Sequence, residues 1–178
     1  MSLFSQLLIQ RFAPYGSLSS SQLAHLERHY DLLLAWNQRL NLTRIAELQQ
    51  AVELHYCESL YLARNLPNRP LKIADIGSGP GFPGFPIAVF RPDCQVTLVE
   101  SNSRKCVFLQ EASRVMPNIE VVAKRAEELT EHFDWLVSRA VRPEDVIRLK
   151  IAPQATILGN QGVLLPWGTA RRMFHVEL

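Results

Sequence analysis

Residues 72 to 88 read KIADIGSGPGFPGFPIA: a short apolar run meets an acid, and four glycines and three prolines follow within ten residues. Such a loop lets a cofactor approach the backbone closely, so the first question is which cofactor. The string GPGFPG at 79–84 matches G-x-G-x-x-G, but in the wrong register. A dinucleotide motif begins at the strand end, and Gly77 is the first glycine to leave the apolar run. Counted from Gly77 the pattern is G-x-G-x-G, with Phe82 where the last dinucleotide glycine belongs. The chain also lacks G-x-x-x-x-G-K-[ST], which excludes a P-loop. Asp75 closes the run, and a carboxylate there would repel a pyrophosphate. A cofactor carrying an ammonium and a sulfonium suits the site better, which points to S-adenosylmethionine. Glu100 ends the next apolar run, CQVTLVE, the position from which an acid reaches ribose hydroxyls. It fits either cofactor, so Asp75 and the glycine register decide.

These residues need elements to position them. Leu3, Phe4, Leu7 and Leu8 predict a short amphipathic helix stopped by Pro14 and Gly16. Ser19 and Gln22 have capping-box spacing, and Leu23, Leu26, Tyr30, Leu33 and Trp36 follow at helical steps. A third helical stretch is expected from about Ala46 to Asn65. After PNRP the pattern changes. LKIADI, CQVTLVE, IEVVAK, FDWLVSRA and QGVLLPWG read as strands; SNSRKCVFLQEASRVM, RAEELTE and EDVIRLKIAPQ read as helical. Alternation of this kind predicts an α/β fold, a doubly wound and mostly parallel sheet, with ligands at the carboxyl ends of its strands. The expected organisation is a helical extension over 1–66 packed on a cofactor-binding core over 67–178.

At 178 residues, with 47% hydrophobic and 20% charged side chains, the composition is that of an ordinary globule. No apolar run approaches the ~20 residues of a membrane span, and the N-terminus lacks the basic flank of a signal peptide. Cys57, Cys94 and Cys106 show no CxxC spacing, so reduced thiols are expected, with no metal, in a cytoplasmic protein. A net charge of +2 does not demand a nucleic-acid partner. The second half nevertheless groups its cations as Arg104-Lys105, Lys124-Arg125, Arg139 with Arg142, and Arg171-Arg172. Composition therefore permits an RNA partner.

WNQRLNLTRI (36–45), LHYCESL (54–60), DIGSGPGFPGFPIAVFRP (75–92), LVESNSRKCVFL (98–109), KRAEEL (124–129) and VSRAV (137–141) together resemble the bacterial small-subunit ribosomal RNA guanine-N7 methyltransferase family, historically called glucose-inhibited division protein B. The resemblance implies a class I, Rossmann-like methyltransferase that acts on small-subunit (16S) rRNA or the small ribosomal subunit. It implies that the backbone at Gly77, Gly79, Gly81 and Phe82 lines the methionine part of S-adenosylmethionine, that Glu100 takes the ribose hydroxyls and that Ala126 and Glu127 border the adenine. Arg139 would reach between cofactor and target base as the catalytic residue. Cys57-Glu58 stands where the family usually carries an apolar residue and Asp, and Pro166-Trp167 where many members have Lys before the glycine corresponding to Gly168. The short C-terminus, MFHVEL, is expected to supply at most one strand of the usual antiparallel pair.

What is missing supports the same chemistry. Ser138-Arg139-Ala140 follows the fourth apolar run, where amino-directed DNA methyltransferases carry Asn/Asp-Pro-Pro-Tyr/Phe. No cysteine lies in a cytosine-C5 motif. The competing readings are an NAD(P)-linked oxidoreductase, disfavoured by Asp75 and Phe82, a cofactor-binding relic without turnover, and a small-molecule methyltransferase. Trp36 is expected in the core, His55 as a hydrogen-bonded structural residue, and Asn41 with Thr43 as a turn or helix cap. Arg104-Lys105 and Lys124-Arg125 are candidate phosphate contacts, and the protein reads as a monomer.

Overall fold

A computed structural model describes residues 1–45, 47–167 and 171–178. The chain opens with α1 (Leu3–Phe12) and α2 (Ser20–Leu40). The predicted capping box starts α2: Gln22 N–H donates to Ser19 Oγ at 3.2 Å, and Ser19 N–H to Gln22 Oε1 at 2.8 Å. Asn41 ends it in the left-handed conformation, φ 48°. The third helical stretch is not uniform. It runs as α3 (Leu48–Ala51), a π-helical turn over Val52–Cys57, and α4 (Glu58–Asn65). Ala46 lies outside the described residues.

The core alternates β1 (Lys72–Ile76), α5 (Gly84–Phe90), β2 (Gln95–Val99), α6 (Ser103–Ser113), β3 (Ile119–Val122), a 3-10 turn over Ala126–Glu128, and β4 (Trp135–Arg139). Then come α7 (Pro143–Ile147), β5 (Gln154–Gly159), β6 (Val163–Leu164) and β7 (Arg172–Glu177). The sheet order is β3-β2-β1-β4-β5-β7-β6. The first five strands are parallel; β7 runs antiparallel to both β5 and β6. Because β1 is central and flanked by β2 and β4, the chain order reverses at its carboxyl end, which opens a crevice there.

Two expectations are corrected. The fifth strand is not QGVLLPWG but QATILG; of the former, Val163–Leu164 form the short strand β6, and Gly168 lies outside the described residues. The helix foreseen over EDVIRLKIAPQ is limited to Pro143–Ile147, because Ala155 to Leu158 are needed as buried residues between β4 and β7. The antiparallel pair is present: MFHVEL gives β7, and β6 supplies its partner.

The extension helices share one hydrophobic cluster with the core. Phe4, Leu8, Phe12, Leu26, Tyr56 and Leu60 pack in the same group as Phe82, Phe85, Val96 and Phe108. Gly84, the first residue of α5, has no room for a side chain, since an added Cβ would lie 2.6 Å from Asp75 Oδ2 and would also strike Leu98. Gly84→Ala is expected to destabilise the fold by about 3 kcal/mol, the upper end of what overpacking costs. Urea denaturation with an unchanged m-value checks this.

Candidate active site

The glycine loop leaves β1 with three residues in the left-handed region, Gly77 (φ 70°), Gly79 (φ 56°) and Gly81 (φ 96°). An L side chain is strained there. Space also forbids one at Gly77, where a Cβ would lie 2.7 Å from Val141 Cγ2. The loop is tied down from three sides. Gly77 and Ser78 N–H both donate to Val99 O at 3.0 Å, which fixes it to the end of β2. Gly79 N–H donates to Glu100 Oε2 at 3.0 Å, while Asn102 N–H donates to Oε1 at 2.8 Å. From the helical extension, His29 Nε2 meets Pro80 O at 3.0 Å and its Nδ1 meets Tyr56 Oη at 2.7 Å. A carbonyl can only accept, so Nε2 carries the proton and Nδ1 accepts from the tyrosine. Burial pushes the His29 pKa down to about 4, so the ring is neutral and that tautomer is kept.

Asp75 lies beneath the loop, fully buried. Its Oδ2 accepts Gly84 N–H at 2.8 Å, and its Oδ1 is buried with no hydrogen-bond partner among the described residues. It therefore does not face an open cleft; it holds the start of α5 and acts on the cleft through its field. Burial, against the smaller effect of the Gly84 hydrogen bond, pushes its pKa up to about 7.

Arg139 ends β4 across from the loop. Its guanidinium carbon lies 4.9 Å from the centroid of the Phe82 ring, a cation–π contact. Nη1 donates to Leu54 O at 2.9 Å and to His55 Nδ1 at 2.7 Å. The His55 ring stacks on Phe82 with centroids 4.5 Å apart, and its Nε2 lies 2.9 Å from Thr43 Oγ1. Burial first, then the Arg139 charge, pushes the His55 pKa down to about 2, which makes it a neutral acceptor for the guanidinium. Arg139 itself is pushed down to about 10 by burial and stays cationic at neutral pH. Among the described residues its Nε and Nη2 donate to no protein atom. They remain for a ligand.

A cavity of about 570 Å³ opens at the carboxyl ends of β4 and β5, lined by Leu54, Arg139, Val141, Leu158, Asn160 and Arg171. Arg171 had no role assigned from its sequence context. Its Nη1 reaches Glu58 Oε2 at 2.7 Å, and Glu58 is fully buried. The same nitrogen lies 3.4 Å from Leu54 O, so both arginines meet at one carbonyl of the π-helical turn. Arg171→Met removes the cation facing this buried carboxylate. We expect a loss of about 3 kcal/mol, the lower end for a broken buried pair because Arg171 is partly exposed. A denaturant midpoint shift would measure it, and rescue by Glu58→Gln in the same chain would assign it to the pair.

The structure thus brings Gly77, Gly79, Gly81, Phe82, Glu100 and Arg139 around one crevice, although the Phe82 side chain is buried and only its backbone belongs to the loop. Ala126 and Glu127 instead line a separate cavity of about 300 Å³ with Leu129, Asp145 and Arg148. Asp75, buried beneath the loop, adds a negative field that suits a cationic cofactor without phosphate; Glu100 fits either cofactor.

The model of the family described as rRNA small subunit methyltransferase G matches residues 22–165. The chain belongs to this family. Members named ribosomal RNA small subunit methyltransferase G include one from Xanthomonas axonopodis pv. citri, 41% identical over 88% of this chain and 74% of its own length, and one from Chloroflexus aggregans, 33% identical over 96% and 78%. The Mycoplasma capricolum member is 39% identical over 79% of this chain, a stretch that makes up 62% of its length. The methyltransferase G family is one of S-adenosylmethionine-dependent enzymes of 16S rRNA, and its class I fold is visible in solved structures. A coclaurine N-methyltransferase aligns with TM-score 0.54 at 16% identity, over 88% of this chain and 56% of its own. An S-adenosylmethionine-dependent methyltransferase from Aquifex aeolicus aligns with TM-score 0.50 at 14% identity, over 67% and 72%. At those identities they speak for the fold alone.

Proposed function

We propose that this protein transfers the methyl group of S-adenosylmethionine to N7 of a guanine in small-subunit (16S) rRNA. Family membership supports the reaction class. The observation that carries the residue assignment is Arg139, held over Phe82 at the crevice with two donor positions left for a ligand. In this reading the backbone at Gly77, Gly79, Gly81 and Phe82 borders the methionine part, Glu100 takes ribose hydroxyls, and the adenine extends to the cavity that Ala126 and Glu127 line. When bound, the cofactor supplies a methyl group made electrophilic by its sulfonium.

The chain's residues then need only to align. Guanine N7 carries an in-plane lone pair, so no proton has to be removed before it attacks. The site agrees: His55 and His29 spend both ring nitrogens on protein partners, and Asp75 is buried beneath the loop. Arg139 acts by positioning, through the base's O6 or a phosphate, because a cation in line with N7 would oppose the charge that develops there. An rRNA substrate and three buried free cysteines support a cytoplasmic setting, and we take the working unit to be the monomer.

The test supplies methyl-labelled S-adenosylmethionine with undermethylated small subunits, their stripped rRNA, and tRNA as control. Label in either small-subunit sample and not in tRNA is expected. Equal labelling of tRNA, or none anywhere with cofactor binding intact, would refute the reading.

A further inference from the structure

A cavity of about 230 Å³ lies between the C-terminal turn of α2 and the start of α6, lined by Arg39, Leu40, Asn41, Asn102, Arg104 and Lys105. Three of these six residues are cations and none is an acid. Among the described residues, none of the three cations belongs to an ion pair. They come from two elements held at a fixed spacing, since Trp36 of α2 packs edge-on against Phe108 of α6 with ring centroids 5.8 Å apart. Asn102 Oδ1 already accepts the Arg104 and Lys105 N–H groups at 3.1 and 3.2 Å, so the pull on an anion comes from the side chains. The cavity also adjoins the cofactor crevice: Asn102 N–H donates to Glu100, the acid at the end of β2.

We propose that Arg39, Arg104 and Lys105 form a phosphate clamp that grips the RNA strand beside the target base. The clamp rests on the rRNA reading above and gives the helical extension a part in substrate binding. Three cations lining one small cavity, with no acid among its walls, favour an anion there. Phosphate oxygens suit such a site because arginine donates to them through two parallel N–H groups, and lysine adds a point charge. A phosphate contact of this kind carries no base information; it sets the strand's register on the protein. Lys124 and Arg125, the other pair singled out in the sequence, do not line the cavity.

The test compares the wild type with Arg39→Gln and with Arg104→Gln/Lys105→Gln, using an unmethylated small-subunit rRNA fragment and fluorescence anisotropy over a range of salt. Each variant is expected to bind the RNA at least about tenfold more weakly at low salt, with the slope of log K against log salt shallower by about 1 for each phosphate no longer neutralised. Cofactor affinity stays within twofold of wild type, and methyl transfer shows a raised KM with kcat kept. An unchanged slope and affinity would overturn the clamp, as would a fall in RNA binding matched by an equal fall in cofactor binding. The two readings fail separately. A wild type that binds RNA with a steep slope but transfers no methyl refutes the transferase and keeps the clamp; one that transfers while both variants keep its slope refutes the clamp alone.

Discussion

Arg139→Ala is expected to lower methyl transfer by at least about a hundredfold, the size of effect that misplacing a reacting pair produces. The fold should survive. Arg139 sits at the last position of β4, and among the described residues its side chain holds Leu54 O, the His55 ring and the face of Phe82. Removing that side chain costs local order around the π-helical turn, not the core. Circular dichroism and a denaturant midpoint would show this, and cofactor affinity should change by less than the rate does. Arg139→Lys is an informative companion. Lysine keeps the charge but cannot donate to Leu54 O and a ligand from one planar fork, so it should recover little of the rate. A lysine variant with wild-type kcat would mean that charge alone matters there.

The second large effect is a pH dependence of cofactor binding centred near Asp75. With a pKa of about 7 in the free fold, this carboxyl is largely protonated at pH 5 and largely ionised at pH 8. A cationic cofactor favours the ionised form. Binding near pH 7 therefore favours loss of the proton, and affinity should fall as pH drops below 7, by at most about tenfold per unit, levelling off above 7 and again below the carboxyl's pKa in the complex. Calorimetry in buffers of different ionisation enthalpy would read the proton release directly. Asp75→Asn should flatten the profile between pH 5 and 8. S-adenosylhomocysteine, which lacks the sulfonium charge, should show the weaker dependence. If the wild type binds S-adenosylmethionine equally at pH 5.5 and 7.5, Asp75 does not feel the ligand.

Much of this was legible in the residues because local signals and tertiary demands agree. The glycine loop, the acid that closes β2 and strands β1 to β4 all lie where runs of apolar residues meet turn residues, and the parallel sheet fulfils them. The capping box at Ser19 was visible for the same reason. β5 was not. Val146 with Leu149, and Ile147 with Ile151, continue a helical spacing past the true end of α7, and pairing with β4 and β7 makes a strand of QATILG. The site's missing parts are of another kind. His29 looks like any histidine on the buried face of a helix, and nothing local shows that its ring holds Pro80. Glu58 and Arg171 are separated by more than a hundred positions, so their ion pair exists only in the fold. The π-helical turn that presents Leu54 O to two arginines leaves no mark in the hydrophobic pattern either.

Transfer to guanine N7 is tested most directly by the identity of the methylated nucleoside. Small subunits labelled by this protein from methyl-labelled cofactor would be digested to nucleosides and separated. Label is expected in 7-methylguanosine alone, and is lost with Arg139→Ala. Label in a methylated exocyclic amine, a ring carbon or a ribose hydroxyl would contradict it, because those acceptors call for a base or nucleophile, and among the described residues the crevice around Arg139 offers none.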